Sequence, residues 1–574
     1  MVAALVVGLA DGSLSEQARR RGWPVEGAIL VFMPGAGEIS KMISVLERSA
    51  GGGGRKLLNV LPLHGGLTSE QQRRCFEVGG RGAPRKVVVA TNVAETSVTL
   101  PDVTVVIDSC REKRLTRDHD LSGLAPALLE RVCARDSLKQ RRGRAGRTQR
   151  GVCFRLIPKR LFDQLPANTA PEIEVLPLET LALQVRAAGF EPADFLASAP
   201  SPPPTAAVAE AEGLLRTLGA VLPEGAGRAD GKEAAGGPAA RLTALGRHLA
   251  VLPCDVRVGR LVVLGAFLGC APAACSVAAW LSVRSPLMRP WQPEQERNRE
   301  ELQRRCLKGK GGSKSDHCFW VAVVDGYLAA GWKQRRSLCA ELGLSYDRMS
   351  EVESVRSQLL GGLRSLGFGG KEAEANGGDW RIVRAALVAG LYPFVARVER
   401  PAARYADGIA GAIQKDAEAR ELRYFVLDES AGPPPDGARM PARARAFLHP
   451  SSLLFKETSY ACPYVVFSER LVQQQAHNEQ FPTRLSLSGC SEASVYALLL
   501  FGGHLAVDHQ TATIAVDGWI RFSGGSTTVA AMLERLRREI DSLLLEKVEE
   551  PGRQIGESPV ARCVVSLLRT DGLG

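Results

Sequence analysis

The residues best equipped for chemistry sit in one eight-residue run, Gln140-Arg-Arg-Gly-Arg-Ala-Gly-Arg147. On a helix turning ~100° per residue, Arg144 falls ~40° and Arg147 about −20° from Gln140, while Arg141 points ~100° away. One face then carries a glutamine and two guanidiniums. Guanidiniums aimed at a terminal phosphate stabilise the charge that builds on its equatorial oxygens during transfer, and a neighbouring glutamine can orient an attacking water. Two glycines in such a helix cost about 1 kcal/mol each relative to alanine, which is tolerated most readily where another backbone must come close. Standing alone, a run this basic would be read as a solvated surface or a localisation signal.

Its neighbours change that reading. Upstream lies Val87-Val-Val-Ala-Thr-Asn-Val-Ala-Glu-Thr-Ser97, followed by Leu100-Pro101-Asp102 and the apolar run VTVVID. A buried strand ending at Ala90 delivers Thr91 and Asn92 to its C-terminal edge, where open α/β sheets bind ligands. Hydroxyl and amide groups there suit phosphate or sugar contacts, which position a nucleic acid without reading its sequence. Taken alone, the same pair would be an ordinary helix cap. Further upstream, Ala28-Ile-Leu-Val-Phe-Met-Pro-Gly35 reads as a strand entering a turn, and Leu63-His-Gly-Gly-Leu-Thr-Ser69 precedes Glu70-Gln-Gln-Arg-Arg-Cys-Phe76.

The elements that must position these residues follow from composition. At 574 residues the chain is too long for one core and predicts three to five domains. With 73 Lys+Arg against 62 Asp+Glu the formal charge is +11, pointing to a polyanionic partner. The 13 cysteines include no C-x-x-C pair, and the 8 histidines stand at no metal-ligand spacing with them. That argues for a reducing compartment without disulfides or structural zinc. The opening MVAALVVGLA is apolar, but without a basic segment before it a helix packed in a core explains it as well as a signal peptide does. No run approaches the ~20 apolar residues of a membrane span.

Residues 1–24 read as a residual linker or helix. From 25 to 168, apolar runs alternate with polar helical stretches, the pattern of a parallel α/β lobe. A small domain over 169–245 carries a Gly/Ala/Pro-rich insertion at 223–240. Helical periodicity over 246–395 predicts a bundle, short alternating runs over 396–525 a small β-barrel, and 526–574 an amphipathic helical tail with a ragged end.

In this order and spacing, the four blocks around Gly35, Phe76, Thr91 and Gln140 resemble motifs IV, IVa, V and VI of the second RecA-like lobe in DEAH/RHA helicases. The likeness continues downstream. GVCFRLIPKRLFDQL and Pro171-Glu172-Ile173 resemble the exit into that family's winged-helix domain. LTALGRHLAVLPCDVRVGRLVVLG from Leu242, SDHCFW from Ser315 and GLYPFVARV from Gly390 resemble its helical ratchet (HA2). FLHPSSLLF from Phe447, YVVFSERLV from Tyr464 and DGWIRF from Asp517 resemble its OB-fold. The resemblance implies an ATP-dependent motor moving 3′ to 5′ on single-stranded RNA. Gln140, Arg144 and Arg147 match the positions that address the γ-phosphate and its water, and Phe76 the aromatic on which adenine stacks. Thr91 and Asn92 match positions at the RNA backbone, with Gly35 in the turn beside them. Two departures stand out: Glu174 replaces a basic or small residue, and Cys110 stands where many members have glycine.

A Gly-rich phosphate loop and a DExH box, both of the first RecA-like lobe, are not found. Gly309–Ser315 mimics the loop but has Ser313 where glycine should precede the lysine, and Phe425-Val-Leu-Asp-Glu429 mimics a metal-binding strand in the wrong region. ATP, with Mg²⁺ held by the missing lobe, is therefore the implied cofactor, and this chain alone is expected to be inactive. The reading is a C-terminal portion of a helicase, seen as a fragment or truncated gene model. The alternative is a naturally short RNA-binding or regulatory protein that uses the winged-helix, ratchet and OB regions without turnover. Expected partners are single-stranded or structured RNA, with room for a protein activator, and no membrane. Cytoplasm or nucleus is the expected location, an organelle being left open because any targeting segment would lie in the missing part.

Overall fold

A computed structural model describes the chain apart from residues 25, 51–56, 68, 79–82, 97–98, 117–126, 148–149, 223–240, 289–292, 308–313, 402–403, 409–410, 416–417, 428–442, 474–483 and 572–574. Residues 1–116 with 127–175 make one compact unit, and residues 176–473 with 483–574 a second.

The first unit is built on a parallel sheet. Strands β1 (Ala28–Phe32), β2 (Leu58–Leu63), β3 (Arg85–Ala90) and β4 (Val103–Asp108) are followed by the antiparallel hairpin β5 (Arg111–Thr116) and β6 (Ala127–Val132), then by β7 (Val152–Arg155). The sheet order is β2-β3-β1-β4-β7, every pair parallel. Unbroken apolar runs such as AILVF suit a sheet covered on both faces. Alternate residues feed two cores: Leu30, Phe32, Val88, Ala90 and Val106 on one face, Ile29, Val31, Val87, Val89 and Ile107 on the other. Helix α1 (Val2–Ala10), in the stretch read as a residual linker or helix, precedes α2 (Ser15–Arg21) and buries Val6 and Leu9 in the second core beside α3 (Ala36–Ala50). It follows that the apolar start of the chain belongs to the lobe.

In the second unit, helices Glu179–Ala187, Pro192–Ala197, Thr205–Thr217 and Ala244–Val251 make up the small domain. A bridge between Val221 and Leu242 closes the stem of the predicted insertion, which itself lies outside the described residues. Seven helices from Val256–Phe267 to Trp380–Leu391 form the expected bundle. Most of the phosphate-loop mimic is outside the described residues, while Ser315 caps helix Asp316–Ala329 by accepting the Cys318 N–H. That is a helix start inside a bundle.

The barrel strands are β8 (Val395–Glu399), then, after the hairpin β9 (Arg404–Gly408) and β10 (Gly411–Lys415), β11 (Arg423–Leu427), β12 (Arg443–Leu448), β13 (Tyr464–Gln473) and β14 (Arg484–Glu492). They run β14-β12-β11-β8-β13, and β13 pairs again with β14, so the sheet closes on itself. This is the five-stranded OB barrel. Residues 425–427 of the second mimic lie in β11, antiparallel to both neighbours, while Asp428 and Glu429 are outside the described residues.

The DGWIRF segment, expected in the barrel, is not there. It belongs to a separate three-stranded sheet of β15 (Leu505–Asp508), β16 (Thr513–Val516) and β17 (Ile520–Ser523), each antiparallel to the next. The tail is likewise more ordered than expected. Helices Thr527–Glu549 and Pro559–Thr570 bury Ile540, Val564 and Leu568 in the bundle's core, and Arg569 pairs with Asp379 at 3.0 Å. No helix among the described residues is long and apolar enough to cross a membrane.

Candidate functional site

The carboxyl edge of the parallel sheet gathers the turns after β1, β3 and β4. The Thr91 N–H donates to the Leu63 carbonyl at 3.1 Å, and the Thr91 and Asn92 carbonyls accept from Ala94 and Glu95 at 3.1 and 2.8 Å. Their backbone is thus tied to β2 and to the short helix α5 (Val93–Thr96), leaving Asn92 exposed and Thr91 half-buried. Gly35 is buried at the head of α3. A Cβ there would lie 2.7 Å from Glu38 Oε2 and 3.0 Å from Lys113 Nζ, themselves ion-paired at 2.9 Å. A side chain at this position would have to displace the flexible ends of that overlying pair. Phe76 ends a short 3₁₀ turn (Arg74–Phe76) after helix α4 (Ser69–Arg73) with 41% of its surface open, so it is not the core residue that an amphipathic helix would make by default.

Helix α6 (Arg135–Gly143) carries Gln140 on its exposed side and then tightens into a 3₁₀ turn, Arg144–Gly146. Residues three apart eclipse in 3₁₀ geometry, which places Arg144 and Arg147 in one row roughly 60° round from Gln140. The arginines are thus brought together more closely than a uniform helix predicts. Arg144 Nη2 donates to the Glu95 carbonyl, and Arg147 Nη1 to the Thr99 hydroxyl. Burial, and then the charge of Arg147, push the Arg144 guanidinium below its ordinary range. Both arginines therefore lie against the segment that begins at Thr91; among the described contacts none links Phe76 or Gly35 to them.

The two glycines behave differently from expectation. A Cβ at Gly143 or Gly146 would meet nothing within 4 Å, so no described backbone approaches them. The tight approach is at Gly151, where a Cβ would fall 1.7 Å from the Ala145 carbonyl oxygen. This glycine lets β7 start directly beneath the arginine turn.

Arg141, given no role by the sequence, proves to be the keystone of the edge. It is 1% exposed. Its Nε donates to Glu95 Oε2 at 2.9 Å, Nη1 to Asp108 Oδ1 at 3.1 Å and Nη2 to Glu112 Oε2 at 3.5 Å, with the guanidinium 5.0 Å from the Phe32 ring centroid. Burial works against its charge, but Asp108 and Glu95 outweigh that and hold it above its ordinary range. Burial raises the Asp108 and Glu112 carboxyls, an effect Arg141 offsets. Glu95 joins the two levels, its carboxylate on Arg141 and its carbonyl under Arg144. A signal existed: Asp108 closes an apolar strand and Glu95 stands one turn past Asn92, and charges in such settings need partners. Cys110, the departure from glycine, has φ 59°, the left-handed region where glycine fits without strain, and its N–H donates to Asp108 Oδ1 at 2.8 Å.

Comparison with known proteins agrees with this arrangement. Residues 25–149 match the model of the helicase conserved C-terminal domain, residues 255–319 the ratchet-like helicase associated domain (HA2) and residues 383–505 an oligonucleotide/oligosaccharide-binding fold. Residues 512–570 match the C-terminal domain in RNA helicases, spanning β16, β17 and the last two helices. The chain is 32% identical to a DExH-box ATP-dependent RNA helicase of Arabidopsis thaliana over 99% of its own length and 51% of the relative's. It is 31% identical to a putative DEAH-box ATP-dependent helicase of Mycosarcoma maydis, over 96% of the chain and 35% of the relative. With the ATP-dependent RNA helicase dhx29 of Xenopus laevis the figures are 30%, 95% and 37%. The chain thus spans about half or less of the curated relatives it matches. With its parallel lobe, helical bundle, closed barrel and C-terminal sheet and helices each matching in turn, the chain belongs to the DEAH-box RNA helicase family and represents its C-terminal portion.

Proposed function

We propose that this chain supplies the phosphate-sensing and RNA-contacting half of an ATP-driven RNA motor that moves 3′ to 5′ on single strands. One observation carries the reading: the two arginines of the 3₁₀ turn rest on Glu95 and Thr99, in the same segment that presents Thr91 and Asn92. A shift of Arg144 or Arg147 toward a phosphate is transmitted through a few bonds to the RNA-facing residues. Their named partners are a carbonyl and a hydroxyl, groups that an incoming anion can replace.

ATP with Mg²⁺, held by a first RecA-like lobe, would supply the γ-phosphate transferred to water. Toward it, Arg144 and Arg147 would stabilise the equatorial oxygens, Gln140 would orient the water and Phe76 would offer its open ring to the base. The unobstructed Cβ positions of Gly143 and Gly146 support this reading, since they leave room for an approaching lobe.

The test is RNA-stimulated ATP hydrolysis by the protein joined to its first lobe. Arg147→Ala is expected to lower turnover ~10³-fold or more. Thr91→Ala is expected to weaken stimulation by RNA while leaving nucleotide affinity intact. Wild-type turnover in the arginine variant, or equal losses of both properties in the threonine variant, would remove these roles.

A further inference from the structure

Phe76 ends the short turn Arg74–Phe76, which has no side-chain cap at its start. Three residues cannot hold a helical turn by themselves, and the last carbonyls of such a turn lack partners within it. The neighbouring strand supplies a donor. Lys86, the second residue of β3, is 6% exposed, and its Nζ donates to the Cys75 carbonyl at 2.8 Å, the Glu77 carbonyl at 2.9 Å and Asp102 Oδ1 at 2.9 Å. An ammonium has three donors, and here each meets an acceptor. The two carbonyls belong to the residues on either side of Phe76.

Cys75 is buried in the core beneath, its thiol 3.4 Å from the Pro62 carbonyl, so the turn has one anchor in the core and one at Lys86. A cavity of about 240 Å³, lined among others by Asn59, Arg74, Glu77, Val78 and Lys86, runs beside it and gives the turn room to fold inward once the lysine bonds are gone. A buried ion pair is often no more stabilising than apolar side chains of the same volume, so stability alone does not explain a lysine here. What Lys86 delivers is the position of two backbone groups. Phe76 touches neither Arg144 nor Arg147 among the described contacts, but Asp102 closes the segment on which both arginines rest.

We infer that Lys86 is a positioning residue for the nucleobase: its ammonium, neutralised by Asp102, holds the backbone on both sides of Phe76 and so sets the ring where a base can stack on it. This role rests on Phe76 being the ring beneath the base. It adds the residue that keeps that ring available, and it assigns Lys86 no contact with the nucleotide. Without the ammonium both carbonyls lose their donor, the turn relaxes toward the cavity and the stack weakens, while the phosphate contacts of Arg144 and Arg147 are left as they are.

In the protein joined to its first lobe, hydrolysis in the presence of RNA is followed against ATP concentration, with tripolyphosphate, which has the phosphates but no base, as a competing ligand. Lys86→Met keeps a similar volume without donors. It is expected to raise the KM for ATP on the order of tenfold, the scale of one lost stack, with kcat within about twofold of the wild type and inhibition by tripolyphosphate unchanged. Thr104→Val removes a neighbouring buried hydrogen bond, to the Glu26 carbonyl at 2.6 Å, and should lower the lobe's stability without moving the KM. Lys86→Arg keeps the charge opposite Asp102 and so preserves the fold where the methionine variant does not. A planar guanidinium cannot direct its donors as an ammonium does, and the KM should rise here too. A wild-type KM in both Lys86 variants, with Phe76→Ala raising it about tenfold, would overturn the positioning role and leave the base at Phe76. A wild-type KM in Phe76→Ala would remove the base from Phe76, and this role with it. Loss of tripolyphosphate inhibition alongside ATP affinity, or an equal rise in Thr104→Val, would overturn the role by reducing Lys86 to a general support of the lobe.

Discussion

In the parallel-sheet lobe, Arg141 directs its donors to the carboxylates of Glu95, Asp108 and Glu112, whereas on the barrel Arg445 lies against the rings of Phe425 and Phe447. A guanidinium answered by buried carboxylates is neutralised and fixed in place. One backed by a ring keeps charge and donors for something else. Arg144 and Arg147 stand between these limits, held by a carbonyl and a hydroxyl. Burial alone therefore does not tell an architectural arginine from a functional one; the chemistry of its partners does.

The comparison breaks first at Arg141. Arg141→Ala leaves three carboxylates facing a dry pocket and is expected to cost the lobe about 3–5 kcal/mol. Urea unfolding with a probe in the lobe measures this. A loss below ~1 kcal/mol would mean that the cluster is not the clamp described.

A buried polar seam in the second unit sharpens the contrast. Asp316 accepts the Leu453 and Cys490 N–H groups, each at 2.7 Å, and His317 Nδ1 lies 2.7 Å from the Ser491 hydroxyl. Burial pushes Asp316 up to about 6 and His317 down to about 3. Between pH ~6.5 and ~3 the unfolded chain binds the histidine proton and the folded chain does not, so stability falls on acidification. Between ~6 and ~4 the folded chain binds the aspartate proton and the unfolded chain does not, so stability rises on acidification. The two slopes oppose each other in one window. Asp316→Asn should expose the histidine slope, a loss of roughly 2–3 kcal/mol from pH 6 to 4, and His317→Gln the reverse gain. Parallel pH profiles for both variants and the wild type would contradict the assignment.

The smallest expected effect is at Gly143, which has ordinary right-handed backbone and nothing within 4 Å of a Cβ. Gly143→Ala should stabilise the lobe by about 0.5–1 kcal/mol through helix propensity while slowing hydrolysis when the first lobe is present. Added stability with undiminished hydrolysis would show that the open space is not where the nucleotide lobe approaches.

Much of the lobe was legible because its signals are local. Apolar runs bounded by turns located β1, β3 and β4, and strand ends put Thr91 and Asn92 at the carboxyl edge of the sheet. DGWIRF was misassigned because a short alternating run looks alike in a barrel and in a separate meander. Only the second β13–β14 pairing, which closes the barrel, separates the two. The tail was read as ragged because its anchors, such as Asp379, lie far off in the chain.

By itself the sequence determined the order of elements, the family resemblance and the presence of one basic run, since each depends on residues close together along the chain. Tertiary structure alone decided that Arg141 is architecture, that Glu95 joins two motifs, and that Arg445 and Phe425 from separate strands meet. Those properties arise from pairings over tens of residues, in which strand register and burial choose the partners.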